Sequence, residues 1–219
     1  MRRFPRRRRP ENRKIGSGMR LKIVQVGEPV LRNVARPLQA EEIALAETQQ
    51  LIDWMRDTMR DAPGVGLAAP QVGLPLQLAV IEDRVEYLKD IAPEVLAERE
   101  RRPVEFQAII NPRIVERSQE EAEFFEGCLS LAGFSALVKR PRAVTVEYLD
   151  RTGAERRIEA RGWHARILQH EIDHLQGCLY IDRMATRSFA TLENLARHWK
   201  QTPVAEIRRA LALEDRPGA

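Results

Sequence analysis

The stretch Gln169-His170-Glu171-Ile172-Asp173-His174 constrains this chain more than any other. Two imidazoles four residues apart share one face of an α-helix, so both rings can bind one metal ion. A carboxylate between them lies close to anything else that ion holds, an arrangement suited to activating water. At about 100° per residue, Ala165, Leu168, Ile172 and Leu175 form one apolar arc, while Trp163, Arg166, His170 and His174 fall opposite. The back of this helix therefore requires a core, and its front carries the chemistry. Glu171 and Asp173 flank the histidine pair at about 80° on either side, so helix geometry alone leaves the choice of water-activating carboxylate open. Gly177 ends the helix.

A two-histidine site needs a third protein ligand and an open position to be catalytic. Two candidates stand out. Glu193 lies nineteen residues after His174, which resembles the spacing of glutamate-ligated zinc metallopeptidases. Cys128 lies upstream in Glu126-Gly127-Cys128-Leu129-Ser130, where the preceding glycine can turn the backbone and aim the sulfur. Glu193 sits in an ordinary helix-surface pattern, Leu192-Glu193-Asn194-Leu195, and reads as a solvated acid. The thiolate is favoured. Cys178, beyond Gly177, reads as a small apolar residue.

The rest of the chain reads as one α+β domain. Its 219 residues suffice for one full core, and nothing demands a second. Leu21 to Val26 reads as a short strand or extended arm. Residues 41–60 form a helix with Leu45, Ile52, Met55 and Met59 as its apolar stripe. The segment Gly64-Val65-Gly66-Leu67-Ala68-Ala69-Pro70-Gln71-Val72-Gly73 is poor in side-chain bulk, so another backbone can approach it. It lacks the Gly-Lys-Ser/Thr ending of a phosphate loop, and a strand follows it, which argues against nucleotide binding. Strands are expected at Leu76–Ile81, Gln107–Asn111, Ala136–Lys139, Ala143–Leu149 and Glu155–Ala160, with a hairpin turn at Asp150–Gly153. Residues 82–103 form a charged excursion. Helices are expected at 162–176 and Phe189–Trp199, and a last one runs from a Thr202 cap and Pro203 to Leu211. Strands clustered between helices and joined by short turns imply mostly antiparallel pairing.

Charge is unevenly spread. Residues 1–18 carry eight Lys/Arg and one acid, or +7 of a total of +4, leaving −3 on residues 19–219. This tail, rich in arginine and proline, has a disordered composition. It reads as a contact for RNA or the ribosome, or as sequence preceding a start at Met19; the second reading is favoured. A mitochondrial presequence fits poorly, because Arg-Pro runs spoil an amphipathic helix. No apolar run is long enough to span a membrane, and none follows the first arginines as in a secretory signal. Two cysteines without such a signal imply reduced thiols in a cytoplasmic protein.

Three blocks together carry a resemblance to peptide deformylases: Gly64-Val65-Gly66-Leu67-Ala68-Ala69-Pro70-Gln71, Glu126-Gly127-Cys128-Leu129-Ser130 and Gln169-His170-Glu171-Ile172-Asp173-His174-Leu175. They occur in that family's order, and the resemblance runs from about Met19 to about Thr191. It implies a catalytic domain over 19–200, flanked by the tail 1–18 and a helical extension 201–219. It implies that Cys128, His170 and His174 hold a divalent metal, Fe²⁺ physiologically, with Zn²⁺, Ni²⁺ or Co²⁺ accepted. It implies Glu171 as general base and acid, with Gln71 and the Leu129 N–H binding an oxyanion. Gly64, Val65 and Gly66 would pair with the main chain of an N-formyl-methionyl peptide as an added strand. Beyond the resemblance, Trp163 and the stem of Arg166 precede His170 on its own face and are candidates to line the methionine side-chain site. Asp173 either orients a neighbouring group or pairs with an arginine.

The two third-ligand readings separate by metal content. Cys128→Ala should lose the bound metal and Glu193→Ala should retain it; the reverse pattern would establish the metallopeptidase arrangement.

Overall fold

The computed structural model describes residues 19–200 and 202–213; the arginine-rich tail and the last six residues lie outside them. The chain is α+β. In order it forms α1 (Ala40–Ile43), α2 (Ala46–Asp61), β1 (Gly66–Ala68), β2 (Leu78–Asp83), α3 (Val85–Leu88), α4 (Pro93–Glu98), β3 (Val104–Arg117) and β4 (Glu121–Cys128). Then follow β5 (Leu131–Pro141), β6 (Ala143–Leu149), β7 (Glu155–Arg161), α5 (Gly162–Leu175), β8 (Ala190–Thr191), α6 (Leu192–Asn194) and α7 (Val204–Ala210). A five-stranded sheet has the order β1-β2-β3-β6-β7, and a three-stranded sheet the order β4-β5-β8. Every pairing within these sheets is antiparallel.

Strand alternation explains the layering. Successive side chains of a strand face opposite sides. Ala79, Ile81 and Ile109 turn to one face of the large sheet and meet Ala165, Leu168, Ile172 and Leu175 of α5. Leu78, Val80, Ala108 and Ile110 turn to the other face and meet Ile52, Met55 and Met59 of α2. The large sheet is thus covered by one helix on each face. The small sheet lies over the other side of α5, with Arg140 of β5 reaching Asp173 and Arg166 reaching the Val138 and Ala122 carbonyls. The helix is therefore buried almost all round, including its polar residues Arg166, Gln169, Glu171, Asp173 and His174.

Several elements differ from the sequence expectation, each for a physical reason. Of the two readings of residues 21–26, the extended arm is the one formed, and its Val24 and Val26 N–H groups donate to the Gln71 and Ser130 carbonyls. The expected helix 41–60 is broken at Ala44-Leu45, and Leu45 is exposed as the N-cap of α2 rather than core. The second strand begins at Leu78 and runs to Asp83, and the charged excursion after it contains α3 and α4. β3 does not stop at Pro112. It continues past a register shift between Ile110 and Arg113, with Asn111 at φ +50; a bulge is where a strand tolerates proline. β4 was not expected, because Glu121-Ala122-Glu123-Phe124-Phe125-Glu126 is acid-rich. Its acids are matched by cations: Lys139 with Glu121, Arg208 with Glu123 and Arg140 with Glu126. The expected helix at Phe189–Trp199 is instead the short strand β8, α6 and a π-helical turn at Leu195–Trp199. Pro203, not Thr202, is the N-cap of α7, whose Ile207 is buried.

The start of α5 depends on Gly162, which has φ +60. A Cβ there would lie 2.4 Å from Glu100 Cβ and 2.6 Å from the Arg99 carbonyl oxygen. Gly162→Ala should therefore destabilise the fold by about 1–3 kcal/mol, read as a lower urea midpoint; an unchanged midpoint would contradict this account of the helix start.

Candidate metal centre and substrate cavity

Three elements converge at one end of α5. β4 ends at Cys128, α5 supplies His170 and His174, and the edge strand β1 runs beside them. The Cys128 Sγ lies 3.3 Å from His174 Nε2. The sulfur and one nitrogen from each of His170 and His174 all lie within 4.8 Å of one another. A thiolate and two imidazoles are a donor set for borderline metals such as zinc or ferrous iron, so these residues fit a divalent ion. Glu193 sits on the short helix α6 and is not part of this cluster.

The donors are held from behind. Glu126, two residues before Cys128, is buried. Its Oε1 accepts from Arg140 Nε at 2.6 Å and from Arg166 Nη1 at 2.5 Å. Its Oε2 accepts from Arg140 Nη2 at 2.9 Å and meets His170 Nδ1 at 3.0 Å. That contact leaves His170 Nε2 to face the cluster, since a carboxylate on one ring nitrogen sets the role of the other. Burial opposes the ionised form of Glu126, but His170 and Arg140 outweigh it and hold its pKa below the usual carboxylate range. Burial likewise opposes a charged His170, yet the Cys128 and Glu126 contacts raise its pKa well above that of a free imidazole. His174 is pushed the other way, first by burial and then by His170. Glu126 stands in the Glu126–Ser130 motif, but its role is not readable from the sequence. Its partners come from β5 and two turns of α5, so no spacing signals them.

Asp173 faces away from the cluster and pairs with arginines. It bonds Arg140 at 2.7 Å and Arg183 through two contacts of 2.8 Å. The flank of the helix that was ambiguous by sequence is thereby divided: Asp173 joins an ion-pair network, and Glu171 turns toward β1. Gly66 makes room for it. A Cβ on Gly66 would fall 2.1 Å from Glu171 Oε1. Burial pushes the Glu171 carboxyl up to about 7, against the opposing pull of His170 and Arg140. A cation in the neighbouring cluster would lower it.

Gln71 has a fixed orientation. Its Oε1 accepts from the Ala68 N–H at 2.8 Å. The amide nitrogen therefore points the other way, 3.4 Å from Cys128 Sγ and 3.3 Å from Ser130 Oγ. The Ser130 N–H also donates to the sulfur, at 3.4 Å. Of the candidate site residues from the sequence, all but His174, Asp173 and the alternative ligand Glu193 line a single cavity of about 620 Å³. On one side of it is the free edge of β1. Gly66 is opposite Ile81, and the Glu82 N–H donates to the Val65 carbonyl. This places Gly66 at a non-hydrogen-bonded position toward β2, with its N–H and C=O directed outward. Gly64 lies against Leu129, where a Cβ would fall 2.8 Å from Leu129 Cδ1. Trp163 is half-buried and forms an edge contact with Phe124 at 6.4 Å. Arg166 contributes only its stem to the cavity, because its guanidinium is tied to Glu126 and to the Val138 and Ala122 carbonyls.

Two substitutions test this geometry. Glu126→Gln should weaken metal retention by about 10- to 100-fold, measured by competition with a chelator. Gly66→Ala should leave the fold and metal content intact while displacing Glu171, so hydrolytic turnover should drop at least tenfold; wild-type turnover would show that the close approach is unimportant.

Comparison with known proteins agrees with this arrangement. The family profile described as polypeptide deformylase matches residues 20–190. The chain is 48% identical over 173 residues to the chloroplastic peptide deformylase 1A of Solanum lycopersicum, covering 79% of this chain and 62% of that relative's length. It is 48% identical over 186 residues to peptide deformylase 1 of Bifidobacterium longum, covering 84% of this chain and 82% of the relative. Among solved structures, the Met-Ala-Ser-bound class I type b peptide deformylase of Acinetobacter baumannii superposes with a TM-score of 0.69 at 33% identity, covering 76% of this chain and 99% of that one. The matched region contains the thiolate, both imidazoles, Glu171 and the glycine-lined edge, and the chain accordingly belongs to the polypeptide deformylase family.

Proposed function

We propose that this protein hydrolyses the N-formyl group from the terminal methionine of newly made polypeptides, releasing formate and a free amine. The observation that supports it most directly is the Cys128/His170/His174 cluster with Glu171 wedged against Gly66 at its side. A divalent metal held by these three residues would supply a Lewis acid that acidifies water and polarises the formyl oxygen. Fe²⁺ is the ion we favour, with Zn²⁺, Ni²⁺ and Co²⁺ as substitutes.

In this reading the peptide lies along the free edge of β1, its main chain bonded to the outward groups of Gly66 and flanked by Gly64 and Val65. Its methionine side chain enters the cavity beside Trp163 and the Arg166 stem. Glu171 removes a proton from water, and the oxygen attacks the formyl carbon. The Gln71 Nε2 and the Leu129 N–H donate to the formyl oxygen as its C=O double bond opens and it becomes an oxyanion. Glu171 then passes its proton to the departing nitrogen as the C–N bond breaks. Burial raises the proton affinity of the Glu171 carboxyl and a cation in the cluster would lower it, and a group balanced between the two can take up and return a proton. The Met-Ala-Ser peptide named with the Acinetobacter structure has the form of a deformylated product, which supports the substrate class.

The catalytic unit is proposed to span 19–200, with 1–18 and 201–219 as appendages. No helix among the described residues is long and apolar enough to cross a membrane. Both cysteines are unpaired, and a thiolate ligand needs reducing surroundings, which supports a cytoplasmic site of action on nascent chains. The basic tail is the segment through which ribosome contact would occur. A Glu193-ligated metallopeptidase has no supporting geometry, since Glu193 is exposed outside the donor cluster.

The test is formate release from formyl-Met peptides by anaerobically prepared, iron-loaded protein. Turnover is expected, with Glu171→Gln inactive and Gln71→Ala reduced by roughly 10²–10³ in kcat. Absence of formate with the metal bound would overturn the assignment.

A further inference from the structure

The charged excursion between β2 and β3 holds Arg99 at the end of α4, and its side chain reaches back to the wall of the substrate cavity. Its Cζ lies 5.0 Å from the centre of the Trp163 ring and 5.4 Å from that of Phe124. Arg101 also lies over Trp163, at 5.2 Å, and Arg166 over Phe124, at 5.2 Å. Cations and aromatic rings thus form a ladder: Arg101, Trp163, Arg99, Phe124, Arg166. Of its three arginines, two are fixed by carboxylates. Arg101 forms a bidentate bond with the fully buried Asp83, at 2.8 and 2.9 Å. Arg166 bonds Glu126.

Arg99 is different. Its Nε is buried with no hydrogen-bond partner among the described residues. Burial, and then the neighbouring Arg101, oppose its charge. What Arg99 gains in return is contact with two aromatic faces, which attract a guanidinium through the ring quadrupole. The indole gains a rigid backing. The Trp163 backbone N–H donates to the Arg99 carbonyl at 2.9 Å, so the main chain fixes the base of Trp163 while the Arg99 side chain covers its ring. Trp163 lines the cavity and Arg99 does not.

We propose that Arg99 is a positioning residue for substrate selection, holding the Trp163 indole as a fixed wall of the site for the substrate's first side chain. The inference rests on the reading that Trp163 lines the methionine site. A wall that cannot swing aside gives a long apolar side chain full contact along its length. A loosened wall forfeits that contact without touching the reacting atoms. Arg99 therefore acts on binding of the methionine side chain, not on the proton transfers at Glu171.

The experiment compares the iron-loaded full chain with Arg99→Ala, Arg99→Lys and Trp163→Ala, using formyl-Met-Ala-Ser and formyl-Ala-Ala-Ser. For Arg99→Ala, kcat/KM for the methionine peptide should fall about fivefold through KM, while the alanine peptide changes little. Arg99→Lys keeps the charge without the planar face and should be intermediate; if Arg99→Ala does not fold, the lysine variant carries the test. An unchanged ratio between the two peptides, or an equal loss for both, overturns the proposal when Trp163→Ala does change the ratio. If Trp163→Ala leaves the ratio unchanged, the methionine-site reading itself fails, and the role of Arg99 falls with it.

Discussion

The structure turns on the buried carboxylate of Glu126. A carboxylate offers about four acceptor positions, and here four contacts use them: two from Arg140, one from Arg166 and one from His170. These partners tie β4 and β5 to two successive turns of α5. An ionised group taken from water costs several kcal/mol unless it is fully compensated, and losing one partner of such a set costs about 3–5 kcal/mol. Arg140 extends the network to Asp173, and Asp173 to Arg183. The small sheet is thereby held in register over the helix that carries the metal donors. The rotation of the His170 ring is set by the same carboxylate that neutralises two arginines.

The second constraint is the absence of a side chain at Gly66. β1 is the edge of the large sheet, and its Gly66 and Ala68 lie on the face that α5 covers. Leu67 points to the opposite face, into the core under α2. Without a Cβ at 66 the strand approaches α5 closely enough for Glu171 to be enclosed between them. The same glycine leaves backbone groups directed outward at the free edge, where an extended peptide can pair. Enclosure raises the Glu171 pKa to about 7, and so one missing side chain serves both peptide access and proton affinity.

The metal-binding helix was legible because its signal is local. Residues four apart point the same way whatever surrounds them, and the apolar arc of Ala165, Leu168, Ile172 and Leu175 does lie in the core against the large sheet. The side-chain-poor segment at Gly64–Gly73 was legible as a place of close approach for a similar reason. Less was readable where tertiary partners override local composition. β4 is acidic because its partners are basic, so its sequence alone resembles a solvated loop. β3 passes through Pro112 by a bulge. Phe189–Trp199 has helical spacing, but its start is taken up by pairing of Ala190 and Thr191 with β5.

By itself, the sequence marked a candidate metal donor set: two imidazoles on one helical face and a thiol after a glycine, which the fold does bring together. It left Glu171 and Asp173 symmetric about the histidine pair, because a helical wheel has no knowledge of what lies on either flank. The resemblance points to Glu171, and the tertiary structure supplies the physical difference between the two carboxylates. The fold set Arg140 and Arg183 against Asp173 and a bare glycine against Glu171. The physical reason is that a carboxylate's behaviour depends on the charge and space around it, and those come from residues that only the fold brings alongside.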